Sequence, residues 1–162
     1  MKRVVVTGMG ALTPVGDDWA TIASALKQGK SGIRAMPDWA EYKNLECRVA
    51  GAVDFTVPAH YPRKKLRTMG RVSQLAVRAT ELALIDAGLL DDPIISSGQC
   101  GLAYGSTTGS TDAAREYAQM LTDRDLTRVS VSNYIRMMSH TAAVNVGIFF
   151  AIRGRVYPTS SA

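Results

Sequence analysis

The most informative segment of this sequence reads Arg155-Val156-Tyr157-Pro158-Thr159-Ser160-Ser161-Ala162. It follows an apolar run, residues 137–152, that predicts a helix buried inside a protein and closed by Arg153-Gly154. The segment itself predicts a short buried strand that gives way to small residues. Small side chains after a strand let the backbone turn sharply, and a reactive residue often stands just beyond such a turn. We therefore expect this segment to lead toward a reactive centre.

Strand and helix patterns alternate through the rest of the chain. The strand patterns lie at residues 4–6, 47–53 and 99–104, and the helix patterns lie at residues 19–27, 72–83 and 111–121. This order favours a mainly parallel sheet covered by helices. No linker or repeat divides the chain, so we expect an α/β fold with one domain over residues 1–162.

Two of the helix patterns are specific. Asp18 can cap a helix over residues 19–27. The next helix has an apolar stripe, a natural stop at Gly88 and three charged residues off the stripe, which predicts an amphipathic helix packed on a core. The stripe consists of Val72, Leu75, Ala76, Ala79, Leu82 and Ala83, and the charged residues are Arg71, Arg78 and Glu81.

Two glycines, Gly8 and Gly10, follow the first strand pattern. Gly-x-Gly after a strand occurs in dinucleotide-binding folds. Here, however, Thr13 stands where that fingerprint has its third glycine, and the helix begins several residues too late. We therefore interpret the two glycines as positions where the loop passes close to other backbone.

A second turn, Gly105-Ser106-Thr107-Thr108-Gly109-Ser110, is rich in glycine and hydroxyl groups. It lacks the lysine of a phosphate-binding P-loop, which disfavours nucleotide binding. Two interpretations remain open. The turn either caps the helix that follows or forms a wall of a substrate pocket.

The chain has two cysteines and two histidines that could serve as nucleophiles or bases. Cys47 and Cys100 lie in strand patterns, where thiols are usually structural, and we interpret His140 as a buried histidine with satisfied hydrogen bonds. The four residues, of which His60 is the second histidine, show no ligand spacing, so no metal site is predicted.

Positive charge is concentrated in one region of the chain. Six of the 19 Lys and Arg residues lie between Asp54 and Glu81, an interval without acidic residues, and the rest of the chain has a net charge of −1. On one helix, Lys64, Arg67 and Arg71 would share a face. This pattern fits a solvated face or, better, a docking site for an acidic protein. No aromatic residue is interleaved between 63 and 78, which disfavours nucleic acid.

The composition excludes several classes of protein. An apolar content of 46% favours a folded core over disorder. The first residues do not form a signal peptide, and the longest apolar stretch, residues 146–152, is too short to cross a bilayer. Two cysteines are too few for a disulfide framework. We expect a soluble cytoplasmic protein with no membrane partner.

Several motifs together resemble the β-ketoacyl-[acyl-carrier-protein] synthases of the elongating type I/II kind, which belong to the thiolase-like superfamily. The motifs occur in the order found in that family and span nearly the whole chain. They are residues 3–10, 13–16, Gly29-Lys30-Ser31-Gly32-Ile33, Ala87-Gly88-Leu89, Gly105-Ser106, Arg153-Gly154 and Thr159-Ser160-Ser161-Ala162. The resemblance implies the N-terminal half of a thiolase-like layered fold.

The resemblance also implies a decarboxylative Claisen condensation. In the family, a cysteine thiol takes an acyl group from the phosphopantetheine of acyl carrier protein, malonyl-carrier protein loses CO2, and the resulting carbanion attacks the acyl-enzyme. The family's catalytic cysteine would follow directly after Ala162, with two histidines and a lysine further downstream. No catalytic residue is therefore assigned within residues 1–162, and no bound cofactor or metal is expected.

Two groups of binding residues follow from the resemblance. Lys64 and Arg67 match positions that dock the acidic carrier protein, with Arg63, Lys65 and Arg71 as helpers. Thr107 and Thr108 fall in the turn that lines the acyl pocket near the interface of a homodimer, and Tyr134 and Met138 fall in a segment that contributes to it. Thr108 and the bulky segment 134–138 depart from the family pattern, which leaves the acyl preference open.

A second class of function also fits the resemblance. Some non-catalytic relatives pair with an active synthase and shape the length of its product. A cysteine after Ala162 would indicate the enzyme, and a glutamine there would indicate such a partner. A free-standing basic binding module is disfavoured, because the apolar helix and the last strand would then stay uncovered.

Overall fold

The computed structural model describes residues 3–127 and 129–160. These residues form six α-helices, two 3-10 helices and four short strands. The helices are α1 (Trp19–Lys27), α2 (Arg63–Leu66), α3 (Arg71–Asp86), α4 (Thr111–Asp123), α5 (Val131–Met137) and α6 (Thr141–Phe149), and short 3-10 helices span Pro37–Glu41 and Pro93–Ser96. The strands are β1 (Arg34–Ala35), β2 (Val49–Ala50), β3 (Leu102–Gly105) and β4 (Val156–Thr159).

The parallel pair β3–β4 confirms two of the predicted strands and their predicted direction. Leu102 pairs with Val156 and Gly105 pairs with Thr159. Backbone hydrogen bonds are present at both ends of this strand pair: Leu102 N donates to Arg155 O at 2.8 Å, and Ser106 N donates to Thr159 O at 3.0 Å. β4 is nevertheless mostly exposed, contrary to the prediction of a buried strand, because β3 is its only neighbouring strand among the described residues. Ser161 and Ala162 lie outside the described residues.

The predicted strand at residues 4–6 is wrong for the chain as described. Val4 is 92% exposed, and no strand lies beside residues 4–6 in the part of the chain that the structure describes. β-Branched residues favour a strand only where a neighbouring strand completes the ladder. The weak pattern at 47–53 does yield a strand, β2, which pairs antiparallel with β1.

Gly8 and Gly10 lie against the backbone of α3, which confirms the interpretation of close contact. A Cβ atom on Gly8 would stand 2.5 Å from the carbonyl oxygen of Ala83, and one on Gly10 would stand 2.3 Å from that of Ala79. No side chain fits at either distance. The N-terminal loop is thereby held along α3.

The helix predicted from its Asp18 cap and the predicted amphipathic helix are both confirmed in position. Asp18 Oδ1 accepts a 2.9 Å hydrogen bond from Thr21 N at the start of α1. Gly88, with φ +67°, follows the end of α3. The prediction that Glu81 lies off the buried stripe is wrong, because Glu81 is only 6% exposed.

The apolar run 137–152 forms α6 and the end of α5 rather than one helix. Met138 adopts an extended conformation between them, and His140 is exposed, so the prediction of a buried His140 is wrong. α6 packs on α3, and Val77 and Val146 are fully buried where the two helices meet. Ile148 on the other face of α6 is 64% exposed. No helix in the described residues is both long enough and apolar enough to cross a membrane.

Candidate functional site

The basic cluster spans two helices rather than one face of a single helix. α2 ends at Leu66, Arg67 is its C-cap residue, and Arg71 is the first residue of α3. Gly70 stands between them in an extended conformation, where a Cβ atom would lie 2.0 Å from Ser110 Oγ. The predicted shared face of Lys64, Arg67 and Arg71 is therefore wrong, since tertiary packing around Gly70 interrupts the helix.

Three of the five predicted docking residues have exposed side chains that make no contact with a partner group in the part of the chain that the structure describes. The side chains of Arg63, Lys64 and Arg67 have no hydrogen bond or ion pair to any residue in 3–127 or 129–160. Three unpaired cations on one short segment form a positive surface that an acidic partner can approach. We refer to Arg63, Lys64 and Arg67 as the basic patch.

The side chains of the other two predicted docking residues, Lys65 and Arg71, are hydrogen-bonded to backbone carbonyl groups of the same chain. Lys65 Nζ donates a 2.6 Å hydrogen bond to the carbonyl oxygen of Phe149 and lies 4.7 Å from the centroid of its ring. Arg71 Nη2 donates a 2.8 Å hydrogen bond to Val53 O, and its guanidinium lies 5.9 Å from the centroid of the Phe55 ring. Sequence spacing does not distinguish these two hydrogen-bonded cations from the three without a partner among the described residues.

A buried carboxylate supports the segment just before α2. Glu81 Oε2 accepts hydrogen bonds from Tyr61 Oη at 2.7 Å and from Arg78 Nη1 at 2.5 Å, and His60 Nε2 lies 2.8 Å from Glu81 Oε1. Burial acts to raise the pKa of Glu81, but the three hydrogen bonds and the charge of Arg78 outweigh it, so the pKa lies below its ordinary value. Burial and the hydrogen bond to Glu81 raise the pKa of Tyr61.

Sequence reasoning missed this cluster. A usable signal was present, because Arg78 and Glu81 stand three residues apart on a helix, a spacing that allows an ion pair. His60 is 64% exposed at its side chain and contacts the buried carboxylate only through one ring nitrogen. The arrangement anchors residues 60–61 to α3.

The turn 105–110 forms one wall of a groove. Thr107 and Thr108 line this groove, of about 340 Å³, opposite Met137 and Ser139. Gly109 allows the close contact, since a Cβ atom there would lie 2.1 Å from the carbonyl oxygen of Met137. Of the two other predicted pocket residues, Tyr134 is 54% exposed and Met138 is half-buried, and neither lines the groove.

The groove lies where β3 and β4 end. The turn follows β3 directly, and Ser160 Oγ, just after β4, lies 2.7 Å from Ser139 Oγ. The carboxyl ends of parallel strands are a common place for ligand sites in α/β folds. The segment that ends at Ser160 thus runs beside this groove.

Ser110 has a different role from the one expected of a turn residue before α4. Its hydroxyl makes no capping bond to α4 and instead accepts a 3.3 Å hydrogen bond from Val72 N, in the first turn of α3. The N-cap residue of α3, Gly70, has no side chain to provide such a cap. The turn therefore both lines the groove and caps a distant helix.

The two cysteines and the two histidines are not brought together. Cys47 is exposed and Cys100 is half-buried, and each thiol has only a long contact to a nearby backbone carbonyl oxygen. Within residues 3–127 and 129–160, no three His, Cys, Asp or Glu side chains are placed to hold a metal ion.

The similarity of this chain to known proteins extends over its whole length. Residues 1–162 match the family model described as "Beta-ketoacyl synthase, N-terminal domain". 3-Oxoacyl-[acyl-carrier-protein] synthase 1 of Haemophilus influenzae is 31% identical over 100% of this chain and 40% of its own length. The Tetracenomycin polyketide synthase ketoacyl synthase alpha subunit of Streptomyces glaucescens is 32% identical over 88% of this chain and 32% of its own length.

A solved structure agrees with these matches. The crystal structure of a β-ketoacyl synthase from Burkholderia phymatum STM815 is 50% identical and superposes with a TM-score of 0.93, covering 100% of this chain and 40% of that one. The predicted thiolase-like α/β fold is thereby confirmed, and the chain spans about 40% of the length of the first relatives. The chain belongs to the β-ketoacyl synthase family, to the N-terminal domain that the family model describes.

Proposed function

We propose that the full-length protein is a β-ketoacyl-acyl-carrier-protein synthase. It would transfer an acyl group from a carrier thioester to a cysteine thiol and then condense it with malonyl-carrier protein. In the second step the C–COO⁻ bond of malonyl breaks, CO2 leaves, and the electron pair forms a C–C bond to the acyl carbonyl as the thiolate departs. The observation that carries this proposal is the family match over all 162 residues.

The residues of this chain would serve binding rather than bond making. Arg63, Lys64 and Arg67 provide unpaired positive charge for an acidic carrier protein. The groove between Thr107–Thr108 and Met137–Ser139 would receive the acyl chain near a homodimer interface. Tyr134 and Met138 do not line the groove and would act only through the segment that carries Met137. The nucleophilic cysteine would follow Ala162. We further propose a cytoplasmic location and no cofactor beyond the carrier's phosphopantetheine.

The docking role can be tested in the full-length protein. Lys64→Glu with Arg67→Glu should raise the KM for acyl-carrier substrates, because two attractive charges become repulsive. A matched reversal at the end of α1, Lys27→Glu with Lys30→Glu, should leave that KM unchanged. Equal KM values in both double variants would contradict docking at the basic patch.

The alternative is a non-catalytic partner that shapes the product of an active synthase. It shares the fold and the groove, so the chemistry after Ala162 separates the two functions. Condensation by the full-length protein, lost when a cysteine after Ala162 is replaced by alanine, supports the enzyme. A residue other than cysteine at that place supports the partner.

A further inference from the structure

We infer that Lys65 is a positioning residue for carrier docking, which fixes α2 to the C-terminal end of α6 and so sets the place of Lys64 and Arg67. The inference rests on the proposed docking function of the basic patch. It gives Lys65 a different role from Arg63 and Lys64, although the three residues appear in the sequence as equivalent positive charges.

The Lys65 ammonium is bound at a site that favours a cation. Phe149 is the last residue of α6, and its carbonyl oxygen is one of those that a helix end leaves without an intrahelical partner. Helix C-termini carry partial negative charge, so the ammonium gains both a 2.6 Å hydrogen bond and a favourable field. The Phe149 ring, 4.7 Å away, adds a cation–π contact.

α2 depends on such an anchor because it is only four residues long. A helix of this length is unstable without tertiary contacts. Its N-cap residue, Pro62, provides no side-chain cap. Before α2, Tyr61 is bound to Glu81, and after α2, Thr68 Oγ1 donates a 3.0 Å hydrogen bond to Asn145 Oδ1 on α6. Lys65 is the polar anchor within α2 itself.

The same geometry argues against Lys65 as a direct carrier contact. Its side chain is half-buried and its ammonium is engaged with Phe149, whereas Arg63 and Lys64 are exposed. A partner could bind the Lys65 ammonium only after the bond to Phe149 had broken. Lys65 therefore acts through α2, by holding the exposed cations of the basic patch in place.

The test compares Lys65, whose ammonium is bound to Phe149, with Lys64, which has the same charge but an exposed side chain. In the full-length protein, Lys65→Met, Lys65→Arg, Lys64→Met and Arg67→Met are measured for KM and kcat with an acyl-carrier substrate. Amide hydrogen exchange at residues 63–67 is measured in the absence of carrier. Lys65→Met should raise KM about three- to tenfold with little change in kcat, and it should accelerate exchange in α2. Lys65→Arg should restore both values, since a guanidinium can also donate to the carbonyl and stack on the ring.

Lys64→Met is the matched control, because it removes the same charge from the same helix. It should raise KM without changing the exchange of α2. Phe149→Leu is a second probe that alters no charge on the docking surface. It should also raise KM and accelerate exchange in α2, while thermal unfolding confirms that the protein is folded.

The outcomes separate the two proposals. If Lys64→Met and Arg67→Met leave KM unchanged, the docking function of the basic patch is wrong. If those two variants raise KM, the positioning role of Lys65 is overturned by either of two results. One is a higher KM in Lys65→Met with wild-type exchange, and the other is faster exchange with a wild-type KM.

Discussion

The phenolic hydroxyl of Tyr61 donates a 2.7 Å hydrogen bond to Oε2 of Glu81, and both residues are buried beneath the segment that leads into α2. A buried carboxylate is tolerated only where donors replace its lost hydration. Here Arg78 and His60 supply the remaining contacts. The pair therefore links the core of α3 to the start of the basic patch.

Replacing Glu81 by glutamine should destabilise the protein. The substitution removes the ion pair with Arg78 and places an amide donor among groups that need an acceptor, which costs about 1.5–3 kcal/mol of the free energy of unfolding. Urea unfolding of the full-length protein measures this loss. Glu46→Gln, at an exposed acid, should change the free energy little, and equal effects of the two substitutions would contradict a supporting role for Glu81.

The contribution of Glu81 should also depend on pH. Its pKa in the folded protein is below the ordinary value of 4.5, so its stabilisation is complete above that pH and is lost as the pH falls through the lower folded pKa. The difference in unfolding free energy between wild type and Glu81→Gln should be constant near neutral pH and shrink below 4.5. A difference that grows with acidification would show that the sign of the pKa shift is wrong.

A side chain at Gly10 should disrupt the packing of the N-terminal loop on α3. In Gly10→Ala the new Cβ atom would meet the Ala79 carbonyl oxygen at 2.3 Å, so backbone must move. Such overpacking costs about 1–3 kcal/mol or more. Gly29→Ala is the control, since its φ of +63° is strained for alanine but no atom lies within 4 Å. Thermal unfolding should show a clearly larger loss for Gly10→Ala, and equal losses would mean that the contact with α3 is unimportant.

Removing the Ser110 hydroxyl should weaken the start of α3. Ser110→Ala leaves Val72 N without its acceptor, and loss of a helix cap costs about 1 kcal/mol. Ser24→Ala on α1 removes an exposed hydroxyl that bonds only to Gln28 and should be close to neutral. Hydrogen exchange at the first residues of α3 localises the effect. Unchanged exchange there in Ser110→Ala would rule out the cap.

A larger side chain at Thr108 should shorten the acyl chains that the proposed enzyme accepts. Thr108→Phe would fill part of the groove of about 340 Å³ beside Met137. Activity with long acyl substrates should fall by more than about tenfold relative to short ones, since a blocked chain loses several buried methylenes. Thr122→Phe, at an exposed position of α4, should leave the ratio unchanged. An unchanged ratio in Thr108→Phe would place the acyl chain elsewhere.

Local patterns were sufficient for much of the fold and part of the site. The bounds of α1 and the helix stop at Gly88 depend on residues near one another in the chain. The glycines at 8 and 10 indicated a close approach to backbone, but only the fold shows that this backbone belongs to α3. Capping groups, apolar periodicity and the absence of a side chain act locally, so they can be read without knowing the fold. The parallel direction of β3 and β4 followed from the alternation of strand and helix patterns, but which strands pair did not.

Contacts between distant residues account for what the sequence could not show. Lys65 and Lys64 are identical in charge, yet the C-terminal end of α6, 84 residues away, binds one and leaves the other exposed. The break before α3 follows from the contact of Gly70 with Ser110, and residues 4–6 form no strand because none lies beside them in the described residues. The direction of a side chain and the completion of a strand are set by whichever atoms the fold brings next to them, and periodicity along the chain carries no information about those atoms.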